Sequence, residues 1–237
     1  MNFFIQIKMP KKQTYIKKTD VKGQKPWLKK INSSEYKIET ESLNKTLLIV
    51  CEGQTEQLYF KSFPVLTLTV KAIDLRGQSK LKLVECTEKI QEHEKCDDVW
   101  CVFDLDLELD VENCLSDFDN AIQKAIELGY NVAYSNDAFE LWFYLHFQYT
   151  DCENHRTFYY EQLGKFWDIN YVKEGKKEKF CKAIYKKLQI DTRANQKEAI
   201  KRATELFRLK NELEYHKQNP VTLVYKLVEV LNANMKK

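Results

Sequence analysis

Three acidic residues follow two apolar runs of the sequence, each at the point where the run stops. Glu52 follows the run 46–51, and Asp104 and Asp106 follow the run 99–103. Continuous apolar runs of this length are typical of strands that are buried on both faces. Because the carboxyl ends of parallel strands meet at one edge of a sheet, we expect these three side chains to lie together.

Carboxylates gathered in one crevice repel one another and resist joint ionisation unless a cation lies among them. Oxygen-only ligands suit a hard ion, so Mg²⁺ or Mn²⁺ is the expected guest, as one or two ions. A single acid at a strand end can also be an ordinary solvated loop residue. A glutamate and an aspartate pair that follow separate buried runs favour the metal site.

The region from residue 46 to residue 150 alternates between short apolar runs and amphipathic segments. Four such alternations predict an α/β domain, with a parallel four-stranded sheet flanked by helices. Ser79 is the expected N-cap of the second helix, because a serine side chain can accept a hydrogen bond from a free amide there. The predicted strands are 46–51, 68–75, 99–103 and 131–135, and the predicted helices are 54–66, 79–96, 116–128 and 138–147.

The two ends of the chain differ from this region. Residues 1–45 are interpreted as a basic N-terminal arm, because the first 37 residues hold ten lysines and two acids. Such an arm either touches phosphates or is a terminus that lysine keeps soluble. After residue 150 only helical patterns remain, so residues 151–237 are predicted to be a helical C-terminal region. Its predicted helices are 157–167, 174–190, 193–217 and 220–235.

Composition narrows the class of protein. The 38 basic and 35 acidic side chains leave a net charge of +3, which produces no strong field for or against nucleic acid. Seven scattered cysteines without a CxxC pair indicate a reducing compartment and argue against structural zinc. No apolar run approaches the length of a membrane span, so we expect a cytoplasmic protein with no membrane association.

Two strings of residues carry a resemblance to a known family. The first is Ile49-Val50-Cys51-Glu52-Gly53 with Thr55-Glu56, and the second is the stretch 135–147 around Phe139-Glu140-Leu141-Trp142. With the Asp104-Leu105-Asp106 triplet, they make residues 46–235 similar to the RloB-like branch of the TOPRIM superfamily, which is found in bacterial defence loci. The resemblance implies a TOPRIM domain over residues 46–150, of Rossmann-like fold.

The resemblance also implies site residues. Glu52 matches the glutamate that follows the first strand, and Asp104 and Asp106 match the DxD pair, so these three are the expected catalytic residues. Glu56 and Glu140 match the extra acids that hold a second metal in OLD-type nucleases. Two alternatives stay open: Glu56 is also placed to favour the dipole of its helix, and Glu140 is also placed to form a salt bridge.

The activity implied by the resemblance is metal-dependent hydrolysis of phosphodiesters in DNA or RNA, tRNA included, by an effector of anti-phage defence or abortive infection. The family also implies a partner ATPase of the AAA or ABC type. The competing hypothesis is a non-catalytic subunit that binds nucleic acid or a partner and whose acidic site holds a structural metal ion.

Basic and aromatic side chains of the C-terminal region are candidates for substrate binding. Lys173, Lys176, Lys177 and Arg193 either track a phosphate backbone or belong to solvated helix faces. Aromatic residues in this part of the chain either stack on bases or, as is more common, pack in the core. They are Tyr144, Phe147, Phe158, Tyr159 and Tyr160. The segment 139–147 could form a homo-oligomer interface if it is exposed.

Overall fold

A computed structural model of the protein describes residues 44–107 and 111–235, with only the backbone described for Val111 and Glu112. The predicted basic arm, 1–45, lies outside the described residues except for its last two. Asn44–Lys237 forms one compact unit. Within its described part, the predicted sheet region and the predicted C-terminal helices pack against each other.

The sheet has five strands in the order β2-β1-β3-β4-β5. Strands β1 to β4 are parallel, so their carboxyl ends lie at one edge, and β5 runs antiparallel to β4. Strands β1 and β3 are buried along most of their length, as their continuous apolar sequences predict. The strands are β1 Lys45–Cys51, β2 Leu68–Asp74, β3 Asp98–Asp104, β4 Asn131–Asn136 and β5 Val221–Thr222.

The fifth strand corrects the prediction of a four-stranded, wholly parallel sheet. It comes from the start of the segment 220–235, which was predicted to be helical throughout. A two-residue strand is too short to show any periodicity, and it exists because the edge of β4 offers partners. The Leu223 amide donates to the Tyr134 carbonyl at 2.8 Å, and the hydroxyls of Ser135 and Thr222 are 2.8 Å apart.

Four helices follow the parallel strands. Ser79 is the N-cap of the second, and its hydroxyl accepts from the Lys82 amide at 3.3 Å, as predicted. The first helix is shorter than the prediction 54–66 because a residue that precedes a proline, here Phe63 before Pro64, is restricted away from helical geometry. The helices are α1 Gln54–Lys61, α2 Lys80–His93, α3 Val111–Glu127 and α4 Glu140–Leu145.

The C-terminal helices are more broken than predicted. The predicted helix 174–190 is two helices separated at residues 175–177, and the predicted helix 193–217 is a helix followed by a 3-10 turn. The fifth helix packs on α4, the seventh on α1 and the ninth on β4. They are α5 Arg156–Trp167, α6 Tyr171–Glu174, α7 Glu178–Ile190, α8 Gln196–Lys210, the 3-10 helix Tyr215–Lys217 and α9 Val224–Ala233.

The aromatic segment 139–147 is part of the core. Its residues from Phe139 to His146 are all buried, and the Trp142 indole donates to the Tyr59 hydroxyl at 2.9 Å. Because the segment is covered by its own chain, it offers no surface for a homo-oligomer. None of the helices in the described part of the chain combines the length and the apolar character needed to cross a bilayer.

His146 is fully enclosed by this aromatic core. Its Nδ1 donates to the Trp142 carbonyl at 2.9 Å, and its ring meets the Trp142 ring edge-on at 4.8 Å. Burial lowers the pKa of His146 from 6.5 to about 4, against the opposing effect of the hydrogen bond to Trp142, while the charge of Arg202 lowers it further. The folded protein therefore holds a neutral imidazole that the unfolded chain protonates at higher pH.

The protein should lose stability in mild acid through this histidine. Between about pH 7 and pH 5, His146 takes up a proton in the unfolded state but stays neutral in the folded state. This difference lowers the free energy of unfolding by about 2 kcal/mol. His146→Asn, whose amide can still donate to the Trp142 carbonyl, should lack that part of the pH dependence in urea unfolding curves. His155→Asn, at the exposed N-cap of α5, should keep it. Equal pH dependence in both variants would contradict the assignment.

Candidate metal centre

Glu52 lies at the carboxyl edge of the sheet because backbone pairing continues one residue past β1. Its amide donates to the Val102 carbonyl of β3 at 2.9 Å. Its carboxylate accepts from the ammonium of Lys80, the first residue of α2, at 3.1 Å. Lys80 is itself buried, so this ion pair is largely removed from solvent.

Glu56 turns back toward the same edge from the first turn of α1. It is 7% exposed. A side chain on Gly53 would bring its Cβ within 2.7 Å of the Glu56 Oε2 atom. Glycine at position 53 therefore makes room for the carboxylate of Glu56. The carboxylate of Glu56 thus lines the cavity and also lies in the first turn of its helix, where negative charge favours the helix dipole.

Asp104 and Asp106 lie at the end of β3 and differ in backbone conformation. Asp104 is the last residue of the strand, and its Oδ2 accepts from the Phe139 amide at 3.1 Å. Asp106 has a left-handed backbone with φ of 52°, and its amide donates to the Asp137 carbonyl at 3.1 Å. Its carboxylate forms an ion pair with Arg156. The extended backbone of β3 thus ends before Asp106, and Leu105, between the two aspartates, is buried in the core.

Glu140 is the first residue of α4 and is 1% exposed. Its Oε1 accepts from the Tyr171 hydroxyl at 3.1 Å and forms an ion pair with the ammonium of Lys176. The salt bridge that the sequence left open is therefore present. Both partners come from α6 and the turn after it, so the C-terminal region completes the surroundings of this acid.

Four of the five predicted ligands line one cavity. Its volume is about 260 Å³. Glu140 is adjacent, because the Lys176 ammonium that it binds belongs to the cavity wall. The structure therefore brings the five predicted acids to one place. The cavity is lined by Glu52, Gly53, Gln54, Thr55, Glu56, Arg76, Asp104, Asp106, Arg156, Tyr160 and Lys176.

Burial and mutual repulsion raise the pKa values of acids in this cavity. Burial raises the pKa of Asp104 well above its usual range, and the charges of Glu52, Glu56 and Glu140 raise it further. Burial also raises the pKa of Glu56 to about 7, against the opposing charge of Lys176. The pKa of Glu52 is raised by burial in spite of Lys80. Burial therefore opposes ionisation of all three acids, and repulsion between the carboxylates adds to this effect.

Three cations of the chain share this charge: Lys80, Arg156 and Lys176. Although burial acts to lower it, the carboxylate of Glu140 raises the pKa of Lys176 overall. One buried oxygen on each of Glu52, Glu56 and Glu140 has no hydrogen-bond partner. These free oxygens are the donor type that a hard divalent cation requires. Within the described ranges, no three His, Cys, Asp or Glu side chains already form a metal-binding arrangement.

The predicted substrate-binding residues divide into two groups. Lys176 lines the acidic cavity, as described above. Lys177 pairs with Glu174 at 2.7 Å on the surface, and the Lys173 side chain is exposed. Arg193 pairs with Asp191 and donates to the Phe166 carbonyl at 2.6 Å. The structure does not place Lys173, Lys177 or Arg193 in the wall of the cavity.

Two cations in the wall were missed by the sequence reasoning. Arg76 follows β2. Because β2 belongs to the same parallel sheet, the carboxyl end of β2 must lie at this edge. That signal was available and also applies to Lys80, at the start of the next helix. Arg156, by contrast, is at the start of α5 after an irregular stretch, and no pattern in the sequence marks it. Asp137 holds it there, accepting from its amide at 3.0 Å.

The fold and the site define an α/β protein with a mainly parallel sheet and a buried carboxylate cluster at the carboxyl ends of its strands. The family model described as RloB-like protein matches residues 47–231. The chain belongs to the RloB-like family. No curated protein and no solved structure matches the chain.

The ion pair between Lys176 and buried Glu140 yields a stability prediction. Lys176→Met should destabilise the protein by ~1–2 kcal/mol, because it leaves a buried carboxylate without its cation, although the half-exposed lysine moderates the loss. Adding Glu140→Gln should restore part of that stability. The adjacent surface lysine provides the control: Lys177→Met should change the free energy of unfolding by less than about 0.5 kcal/mol. Urea denaturation of Lys176→Met, Glu140→Gln, the double variant and Lys177→Met measures the coupling, and additive effects of the first two changes would refute it.

Proposed function

We propose that this protein is a metal-dependent nuclease of the TOPRIM type, acting in the cytoplasm as an effector of bacterial defence against phage. The observation that carries the proposal is the carboxylate cluster, which places Glu52, Glu56, Asp104, Asp106 and Glu140 around one small cavity at a sheet edge. Membership of the RloB-like family supports the defence-associated role.

The residues present fit a divalent ion. Burial raises the pKa of Asp104 and of Glu56, and the neighbouring carboxylates raise both further; a bound Mg²⁺ or Mn²⁺ would favour the ionised forms. Glu52, Glu56, Asp104, Asp106 and Glu140 would hold one or two such ions, with the unpartnered oxygens as ligands. The chemistry that a bound ion supplies is polarisation of the phosphodiester and activation of an attacking water.

The cations of the cavity wall have a second role in this proposal. Arg76, Arg156 and Lys176 all line the acidic cavity. When Asp106 and Glu140 are engaged by metal, their partners Arg156 and Lys176 would be available to orient the phosphate and to offset the charge that develops on the leaving oxygen. The substrate is DNA or RNA, with tRNA among the candidates. The family implies an AAA or ABC-type ATPase as partner.

A second function is favoured by one observation. Three of the carboxylates already have a lysine or arginine partner, as in a structural network of ion pairs. The alternative is a non-catalytic subunit that binds nucleic acid or a protein partner and whose acidic site holds a structural ion. The two proposals differ in what is lost when a carboxylate is neutralised.

Metal binding can be tested separately from catalysis. Mn²⁺ at about 100 times its dissociation constant should stabilise the protein by about 2.7 kcal/mol. Gly53→Ala should abolish most of this gain, because its methyl group displaces the Glu56 carboxylate, a shift that a flexible side chain makes without unfolding. Gly129→Ala lies at a left-handed position away from the cavity and should lower the baseline stability while keeping the Mn²⁺ effect. Thermal unfolding with and without Mn²⁺ measures the baseline stability and the stabilisation by Mn²⁺. Equal stabilisation of the two variants would show that Glu56 is not a metal ligand.

Catalysis is tested by neutralising Glu52 and Asp104, the acids at the carboxyl ends of β1 and β3. Glu52→Gln and Asp104→Asn should each slow cleavage of DNA or RNA about 100-fold or more, a loss of ~3 kcal/mol in transition-state stabilisation. The assay uses Mg²⁺ or Mn²⁺ and is run alone and with an ATPase encoded beside the gene. Glu174→Gln, on the surface, is the control. Full cleavage by both variants would refute the nuclease, whereas retained cellular toxicity and binding with reduced thermal stability would establish the structural ion.

A further inference from the structure

A second cavity lies beside the acidic one and has no part in the mechanism proposed above. Its volume is about 800 Å³, within the range of sites that bind small organic molecules. One wall is a face of α5, and the other is the turn between α5 and α6 with the start of α6. The lining residues are Thr157, Tyr160, Glu161, Gly164, Lys165, Asp168, Ile169, Asn170, Tyr171 and Val172.

Tyr160 belongs to both cavities. Its ring stacks on the buried ring of Tyr171, with centroids 5.5 Å apart and an interplanar angle of 30°. The Lys176 ammonium is 5.3 Å from the centre of the Tyr160 ring. The aromatic wall between the cavities is therefore supported from behind, while the ring itself is half-buried and keeps an accessible part.

The rest of the second cavity suits a flat, polar-edged ring. Gly164 lets the turn after α5 pack closely against the helix, because a Cβ there would be 2.8 Å from the Ile169 carbonyl oxygen. Val172 is 68% exposed and adds apolar surface. Thr157 and Glu161 are exposed and place hydroxyl and carboxylate groups on the same helix face. Aromatic and apolar surface with a polar rim is what a stacked base needs.

The neighbouring cavities indicate how such a base would be attached. The acidic cavity is about 260 Å³, which accommodates a phosphate group but not a base pair. A third cavity, of about 860 Å³, adjoins it on another side and shares Glu52, Arg76 and Asp106 with it. A strand with its phosphate in the small cavity would thus have one large cavity on each side. A base paired and stacked in a duplex cannot enter such a side cavity unless it is flipped out.

We propose that the cavity beside Tyr160 binds an unpaired nucleobase next to the phosphodiester in the acidic cavity, so that the substrate is single-stranded DNA or RNA or an unpaired loop. This proposal rests on the nuclease function proposed above and specifies its substrate class. Stacking on Tyr160 would set the register of the strand, and the exposed polar groups would contact the edge of the base.

The test uses oligonucleotides with one 2-aminopurine at successive positions, bound to the Glu52→Gln protein in Mg²⁺ so that cleavage is suppressed. The single strand should bind with a fluorescence change at one position. Tyr160→Leu should remove that change and weaken binding about tenfold, while Tyr160→Phe keeps both. The matched control is Tyr149→Leu, which removes a ring that is 39% exposed and lines neither cavity.

A second pair of variants covers the case in which Tyr160→Leu fails to fold. Val172 and Ile190 are both β-branched and both 68% exposed, but only Val172 lines the cavity. Val172→Asp should weaken single-strand binding about tenfold, and Ile190→Asp should leave it close to the parent. DNA and RNA versions of each probe identify the sugar.

Three results would overturn the proposal: an unchanged affinity and fluorescence response in Tyr160→Leu, equal effects of Val172→Asp and Ile190→Asp, or a blunt duplex that binds as tightly as the single strand. Base-dependent binding in a protein whose wild type cleaves nothing, either alone or with the ATPase, would support the base site and refute the nuclease, so the two proposals fail separately.

Discussion

Burial of like charge at the carboxyl edge of the sheet is the constraint on which this structure depends. Glu56 and Glu140 are almost fully removed from water, and Asp104 lies beside them at the end of a buried strand. Such a group of acids is costly in the absence of cations, because burial and mutual repulsion both oppose ionisation. The chain supplies Lys80, Arg156 and Lys176, but burial and the neighbouring carboxylates still raise the pKa of Asp104 and of Glu56.

The cations connect the two parts of the fold. Lys80 comes from α2, within the alternating strand and helix region, but Arg156 and Lys176 come from the C-terminal region. The acids of the strand ends therefore require helices that follow the sheet in sequence. Gly175 illustrates the closeness of this packing, since a Cβ there would be 2.6 Å from the ring of Tyr171, whose hydroxyl donates to Glu140. The break between α6 and α7, which the helical period did not predict, is what brings Lys176 to its partner.

Sequence patterns predicted the elements that are determined by residues close together in the chain. Buried apolar runs predicted β1 to β4 closely, and the rule that parallel strands end at one edge predicted from the sequence alone that Glu52, Asp104 and Asp106 lie together. The two-residue β5, the division of the helix 174–190 and the position of Arg156 had no local signal, because each is decided by a tertiary partner. The ion pairs of the acids belong to the same class: a carboxylate can be located from its strand, but its counterion comes from whichever helix packs nearby.

This dependence on distant partners also explains why one residue set can be interpreted in two ways. Without a divalent ion, Glu52 and Glu140 keep their lysines, and the cavity resembles a network of buried ion pairs. With an ion, the same carboxylates would turn their unpartnered oxygens to the metal and leave cations facing the cavity, where a phosphate needs them. The ion pairs of Glu52, Asp106 and Glu140 lower the cost of burying these charges when no metal ion is bound. The lysines and the arginine are thus compatible with a metal site, because the cations that stabilise the carboxylates are also those that a phosphodiester would require.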